Sequence, residues 1–152
     1  MVKIFVADDQ MLLRKLVKES LAEIPGFHVV GEAASGEEAL DLIPRACPDV
    51  LVTDLSMNGL NGIQVTERVR KLFPSIAIII WSVSTEYGYV LGALEAGASA
   101  YVVKDAGIDA LVTAIREVNH DGFFLSPPLS KQKLDEFRTT VRGCNGHRKQ
   151  VA

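Results

Sequence analysis

The sequence predicts an open, doubly wound α/β sandwich, a (βα)5 chain folded about one parallel sheet. Apolar, β-branched runs alternate five times with amphipathic stretches of helical period. These runs are apolar without interruption rather than alternating in polarity, as expected of strands buried on both faces. Right-handed crossovers then put helices on both sides of the sheet, over about 120 residues. A length of 152 residues fits one compact domain and leaves little for a second.

The first strand is Val2–Ala7. Met11, Leu12, Leu16, Leu21 and Ile24 follow at helix-face spacing, and Pro25-Gly26 ends that helix. Phe27–Ala33 is the second strand. Ser35-Gly36-Glu37-Glu38 is a capping-box pattern opening a helix with Ala39, Leu42 and Ile43 on its apolar side. Pro48 closes it, and Val50–Thr53 is the third strand. The loop Ser56–Gly62 leads into a helix carrying Val65, Val69 and Leu72, broken at Pro74. Ile76–Trp81 is the fourth strand, with Trp81 inward and Ser82 turned to the opposite face. Thr85 to Ala96 is a weak helix, because Tyr87-Gly88-Tyr89 and Gly92 lower its propensity. Ala98–Val103 is the fifth strand and Ile108–Val118 the fifth helix. Beyond Gly122 the pattern changes. Phe123-Phe124-Leu125 runs into Ser126-Pro127-Pro128, and Ser130 caps a last helix with Leu134, Phe137 and Val141 on a narrow stripe. Gly143 and Gly146 are expected to end it after about 13 residues. The division predicted is 1–126 as the domain and 127–152 as a linker and tail with at most one short helix.

Composition excludes several classes. Apolar residues make up 48% and charged residues 23%, which is incompatible with a disordered or collagen-like chain. No apolar run approaches the roughly 18 residues of a membrane span. The opening MVKIFVADDQ is not a signal peptide, so a cytoplasmic location is expected. Cys47 and Cys144 lie far apart, without CxxC pairing, and are expected to be reduced thiols. His28, His120 and His147 are scattered and suggest no metal or phosphohistidine role. Residues 131–152 hold six Lys/Arg against two Asp/Glu, while the remainder holds ten basic and seventeen acidic residues. An acidic body is a poor nucleic-acid surface.

In open α/β sheets, ligands bind beyond the carboxyl ends of the strands. The first strand is followed by Asp8-Asp9, the third by Asp54, the fourth by Ser82 and the fifth by Lys104. Three carboxylates, a hydroxyl and an ammonium therefore converge on one sheet edge. Each aspartate alone would read as a turn residue or helix cap. Together, converged carboxylates repel and raise one another's pKa unless a cation joins them. Oxygen ligands of this kind suit Mg²⁺. An aspartate carboxylate is also a competent nucleophile towards phosphorus, with a metal and Lys104 to neutralise the transferring group.

The motifs VADDQ at 6–10, TDLSMNGLNG at 53–62, IIIWS at 78–82 and AYVVKDAG at 100–107, with GFFLSP at 122–127, resemble a response-regulator receiver domain of two-component signalling. Specifically, the chain is similar to the NarL/FixJ type, over residues 2 to about 126. The resemblance implies a flavodoxin-like sheet of order 2-1-3-4-5. It implies Asp54 as phosphoacceptor and Mg²⁺, with Mn²⁺ as a substitute, bound by Asp9, Asp54 and the Ser56 backbone carbonyl, with Asp8 acting through water. It implies Lys104 as the phosphate contact, Ser82 as the switch hydroxyl and Tyr101 as the switch aromatic. The implied donor is a sensor histidine kinase or a phosphotransfer protein. A homodimer would form through the first and fifth helices, or through the surface from fourth helix to fifth strand. The implied output is transcription control through a DNA-binding domain that this chain lacks. The alternative is a stand-alone receiver acting by protein contact or as a phosphorelay intermediate. Such a chain is not an enzyme beyond its own phosphorylation and dephosphorylation. Asn stands at 58 and 61, where the family usually has proline and often aspartate.

An aspartyl-phosphate hydrolase of the haloacid-dehalogenase type would want a second acid two positions after Asp54, where Ser56 stands. A flavodoxin-like mononucleotide binder would want a Ser/Thr/Gly-rich loop after the first strand, where Asp8-Asp9-Gln10-Met11 is acidic. A helix-turn-helix needs two packed helices, and residues 127–152 have no pattern for a pair. The chain is therefore expected not to bind DNA sequence-specifically. Anisotropy titration at physiological salt checks this, and sequence-discriminating binding that survives excess nonspecific DNA would contradict it.

Overall fold

A computed structural model describes the backbone of residues 1–151 and the side chains of residues 1–143. Strands β1 (Val2–Ala7), β2 (Phe27–Ala33), β3 (Val50–Asp54), β4 (Ala77–Ser82) and β5 (Ala100–Val103) alternate with helices α1 (Met11–Ala22), α2 (Gly36–Ala46), α3 (Gly62–Leu72), α4 (Tyr87–Ala96) and α5 (Gly107–Asn119). A 3-10 turn, Lys104–Ala106, joins β5 to α5. All strand pairs are parallel.

The strands' parity sorts the core into two halves. Phe5, Leu51, Ile78, Ile80 and Tyr101 face α2, α3 and α4, meeting Ile43, Val65, Val69 and Val90. Ile4, Val52, Ile79, Trp81 and Val102 face α1 and α5, meeting Val17, Leu21, Leu111 and Ile115. Trp81 and Ser82 point to opposite faces, and both are buried. Helix starts follow their capping residues. Ser35 Oγ accepts from the Glu38 amide at 3.1 Å, opening α2. Asn61 and Gln64 form a reciprocal capping box on α3. An asparagine at 61 thus caps α3 as an aspartate would.

The sheet has six strands, in the order β2-β1-β3-β4-β5-β6. The expected order 2-1-3-4-5 is present, and a short sixth strand, β6 (Phe124–Leu125), extends it by pairing parallel with β5. It covers hydrogen-bonding groups that β5 would otherwise leave unpaired at the edge. Ser126 continues this closure. Its amide donates to the Tyr101 carbonyl at 3.1 Å, and its hydroxyl accepts from the Val103 amide at 2.8 Å.

The last helix is also longer than expected. It runs as α6 from Lys131 to Val151, through Gly143. A helical glycine costs only about 1 kcal/mol relative to alanine and ends a helix mainly by turning left-handed. Gly143 is not among the positive-φ residues. The side chains of Cys144 and His147 lie outside the described residues. Ser130 caps α6 as predicted, accepting from the Lys133 amide at 3.1 Å.

α6 packs on α4. Leu129 and Leu134 are buried in the same core half as Tyr101. The Phe137 ring lies 6.4 Å from that of Tyr87, whose hydroxyl accepts from the Ser130 amide at 3.0 Å. This second cover explains why α4 is apolar nearly all round. Leu134→Ala should destabilise the chain by about 2–4 kcal/mol in urea unfolding, the cost of a buried leucine cavity. A loss below about 0.5 kcal/mol, the size of an ordinary surface change, would mean that α6 does not dock.

Candidate functional site

The carboxyl edge of the sheet is built by backbone before side chains act. Asp8 follows β1, Asp54 ends β3, Ser82 ends β4 and Lys104 follows β5. Adjacent parallel strands in register bring these termini side by side. Asp8 and Asp54 are buried, and Asp9 is half-buried. One carboxylate oxygen from each of the three lies within 4.8 Å of the others.

Lys104 organises this cluster. Its Nζ lies 3.3 Å from Asp8 Oδ2 and 3.3 Å from Asp54 Oδ2. Asp8 Oδ1 accepts from the Gln10 amide at 2.8 Å, and Asp54 Oδ1 from the Ser56 amide at 3.4 Å. Burial pushes the Asp54 carboxyl up to about 6, and the nearby Asp8 charge adds to this against the lowering pull of Lys104. One ammonium does not balance three carboxylates. The all-oxygen donor set fits a hard divalent cation such as Mg²⁺ in chemistry and in charge.

The loop after β3 is pressed against the site. A Cβ at position 62 would collide with the Asp54 carbonyl oxygen, so only glycine lets α3 begin this close. The Gly62 amide donates to the Leu55 carbonyl at 2.8 Å, closing the loop that carries Ser56. At its far end the Leu60 amide donates to Glu37 Oε1 at 2.9 Å. An open cleft of about 520 Å³ lies over this loop, lined by Asp9, Ser56, Met57, Ser82, Val83 and Ser84.

Ser82 Oγ accepts from the Ser84 amide at 3.1 Å. Tyr101 is wholly buried, and its hydroxyl donates to the Ser84 carbonyl at 3.0 Å. Tyr101, the residue that the resemblance implies as the switch aromatic, occupies the inward position in this structure. The physical reason is local: the ring fills the core half facing α4, and its hydroxyl finds a carbonyl there. Burial raises the Tyr101 pKa, so the hydroxyl stays a donor at neutral pH.

The structure thus brings Asp8, Asp9, Asp54 and Lys104 together as read, with Ser56 alongside and Ser82 in the adjoining cleft. Sequence reading missed Arg14, whose Nη1 donates to the Asp8 carbonyl at 2.7 Å. It also missed Gly62. Both act on backbone atoms, which leave no residue signature at the partner position.

Comparison with known proteins accords with this geometry. The family model described as "Response regulator receiver domain" matches residues 4–116. The chain is 32% identical over 140 residues to the transcriptional regulatory protein DegU of Brevibacillus brevis, covering 92% of this chain and 59% of that protein. It is 35% identical over 132 residues to the response regulator GacA of Pseudomonas aeruginosa, covering 87% and 62%. A LuxR-family two-component response regulator from Aurantimonas sp. superposes with a TM-score of 0.85 at 32% identity, over 91% of this chain and 99% of that one. The open sheet and its acidic edge are those of a signalling-domain family. The chain belongs to the response-regulator receiver family of two-component signalling, and its relatives are of the NarL, DegU and GacA type. It spans about three fifths of the length of the first two relatives named.

A carboxyl raised in the fold binds its proton more tightly folded than unfolded. For Asp54 that stabilising protonation is complete at low pH and is lost as pH rises from 3.8 through about 6. Asp54→Asn should therefore melt at a higher temperature than the wild type at pH 7 without divalent ions. It should also lose this part of the pH dependence. Melts from pH 4 to 8 check both points, and a lower melting temperature for the variant at pH 7 would contradict them.

Proposed function

We propose that this receiver is a phosphorylation-controlled switch whose acceptor is Asp54, charged by a sensor histidine kinase or a phosphotransfer protein. The observation that carries the reading is Lys104 Nζ, 3.3 Å from both Asp8 and Asp54 at the end of a buried, three-carboxylate edge. In the transfer, an Asp54 carboxylate oxygen forms a bond to phosphorus as the donor–phosphorus bond breaks, and the donor keeps that electron pair. Asp54 must be ionised to attack, which its value of about 6 allows at neutral pH. Lys104, little exposed, is placed to meet the oxygens of the arriving group. Asp9, Asp54 and the Ser56 carbonyl would hold Mg²⁺ or Mn²⁺, with Asp8 contributing through water. When bound, the cation supplies positive charge for the phosphoryl oxygens.

Ser82 and Tyr101 report the charge state of Asp54. Attraction of Ser82 Oγ towards a phosphoryl group would break its bond to the Ser84 amide, and Ser84 also holds the Tyr101 hydroxyl. The β4–α4 segment thus has two arrangements for a phosphoryl group to bias. α6 covers part of the α4 surface, whereas α1 exposes Met11, Leu12 and Leu16. This favours α1 with α5 over the α4–β5 surface for a homodimer.

Residues 1–126 form the receiver unit and 127–152 its linker. The output is transcription control through a DNA-binding domain outside these residues, in line with relatives named as transcriptional regulators. The alternative is a receiver acting by protein contact alone. No helix among the described residues is long and apolar enough to cross a membrane, and cytoplasmic action fits this reading.

Incubation with a small acyl-phosphate donor and Mg²⁺, followed by intact-mass measurement, tests the assignment. The wild type should gain one phosphoryl group, Asp54→Asn none, and Asp9→Ala far less. Labelling should fall as pH drops below about 6, where Asp54 takes up its proton. Undiminished labelling of Asp54→Asn would overturn the assignment.

A further inference from the structure

Arg14 sits in the first turns of α1, outside the acidic edge, yet its guanidinium reaches the backbone there. Nη1 donates to the Asp8 carbonyl at 2.7 Å, and Nε donates to Glu32 Oε1, on β2, at 2.9 Å. Lys18 holds the other Glu32 oxygen. The Arg14 side chain is only 13% exposed. The planar fork is therefore fixed by two partners on two different strands or strand ends.

The Asp8 carbonyl belongs to the planar peptide unit that joins Asp8 to Asp9. Pinning its oxygen sets the orientation of that plane, and with it the direction in which the Asp9 side chain leaves the backbone. Asp8 has carboxylate anchors of its own, in the Gln10 amide and Lys104. Among the described residues, the Asp9 carboxylate makes no hydrogen bond or ion pair, although it belongs to the three-carboxylate cluster. Its aim therefore depends on the backbone that carries it.

We infer that Arg14, oriented by Glu32, is a positioning residue for the divalent-cation site, holding the Asp8–Asp9 peptide so that Asp9 points at the ion. This rests on the cation reading proposed above. Arg14 touches neither phosphate nor ion. Its own charge is offset by Glu32, so it steers the loop at a reduced electrostatic cost to a nearby cation. A purely electrostatic role has the opposite sign, because removing a cation beside a cation site tightens binding.

Calorimetric titration of the full chain with Mg²⁺ separates these roles, with melts in metal-free buffer as the check on folding. Arg14→Ala should weaken Mg²⁺ binding on the order of ten-fold, the scale of losing a group that orients a metal ligand. Arg14→Lys should recover part of this, since an ammonium can still donate to the Asp8 carbonyl. Glu32→Gln should weaken binding in the same direction, and adding it to Arg14→Ala should cost nothing more. If Arg14→Ala fails to fold, Arg14→Lys carries the test, since it keeps the charge and any weakening relative to the wild type is geometric. Unchanged or tighter binding in the folded variants overturns the inference and leaves the cation site standing. No Mg²⁺ binding by the wild type overturns the cation reading, and the inference with it.

Discussion

The Lys104 ammonium between the carboxylates of Asp8 and Asp54 is the constraint on which the rest of this structure turns. Two buried carboxylates at the ends of adjacent strands repel, and burial penalises both charges. Lys104 reduces that penalty without cancelling it, as the raised Asp54 carboxyl shows. Its side chain comes from the turn that follows β5, and β5 lies two strands away from β3. The ion pairs therefore hold only while the register across β1, β3, β4 and β5 holds, and the sheet and the site are one object.

That residual charge imbalance gives the site its chemistry. A cluster already neutral would offer a cation little attraction, and a cluster open to water would not raise the Asp54 carboxyl. The buried edge keeps Asp54 ionisable near neutral pH, and the cleft beside it opens along Asp9, Ser56 and Ser82. Gly62 and the Asn61–Gln64 box set the β3–α3 loop, because they let α3 start against the Asp54 backbone.

The same edge is wired to the opposite end of the chain. Tyr101 donates to Ser84 and shares its core half with Leu129 and Leu134. Ser126 is hydrogen-bonded to both Tyr101 and Val103 on β5. Tyr87, at the start of α4, accepts from Ser130 and packs its ring near Phe137. A movement of the β4–α4 segment is therefore also a movement of the bed on which α6 lies. Side chains so closely packed favour discrete arrangements over continuous bending.

The sequence by itself determined the five main strands, their helices and the identity of the acidic edge. The apolar runs of β3, β4 and β5 announce doubly buried strands, and in a parallel sheet the residue after each run must lie at one edge. Asp8, Asp9, Asp54, Ser82 and Lys104 were legible for that reason, without any contact being known. Cys144 and His147, also visible in the sequence, lie where no side chain is described. The tertiary structure alone decided the sixth strand, the docking of α6 through Gly143, the inward Tyr101 and the grip of Arg14 on the Asp8 carbonyl. Each of these depends on packing or on a backbone atom as partner, and a main-chain carbonyl is the same whatever residue bears it. Periodicity reports which face of an element is buried. What covers that face is settled only when the elements meet.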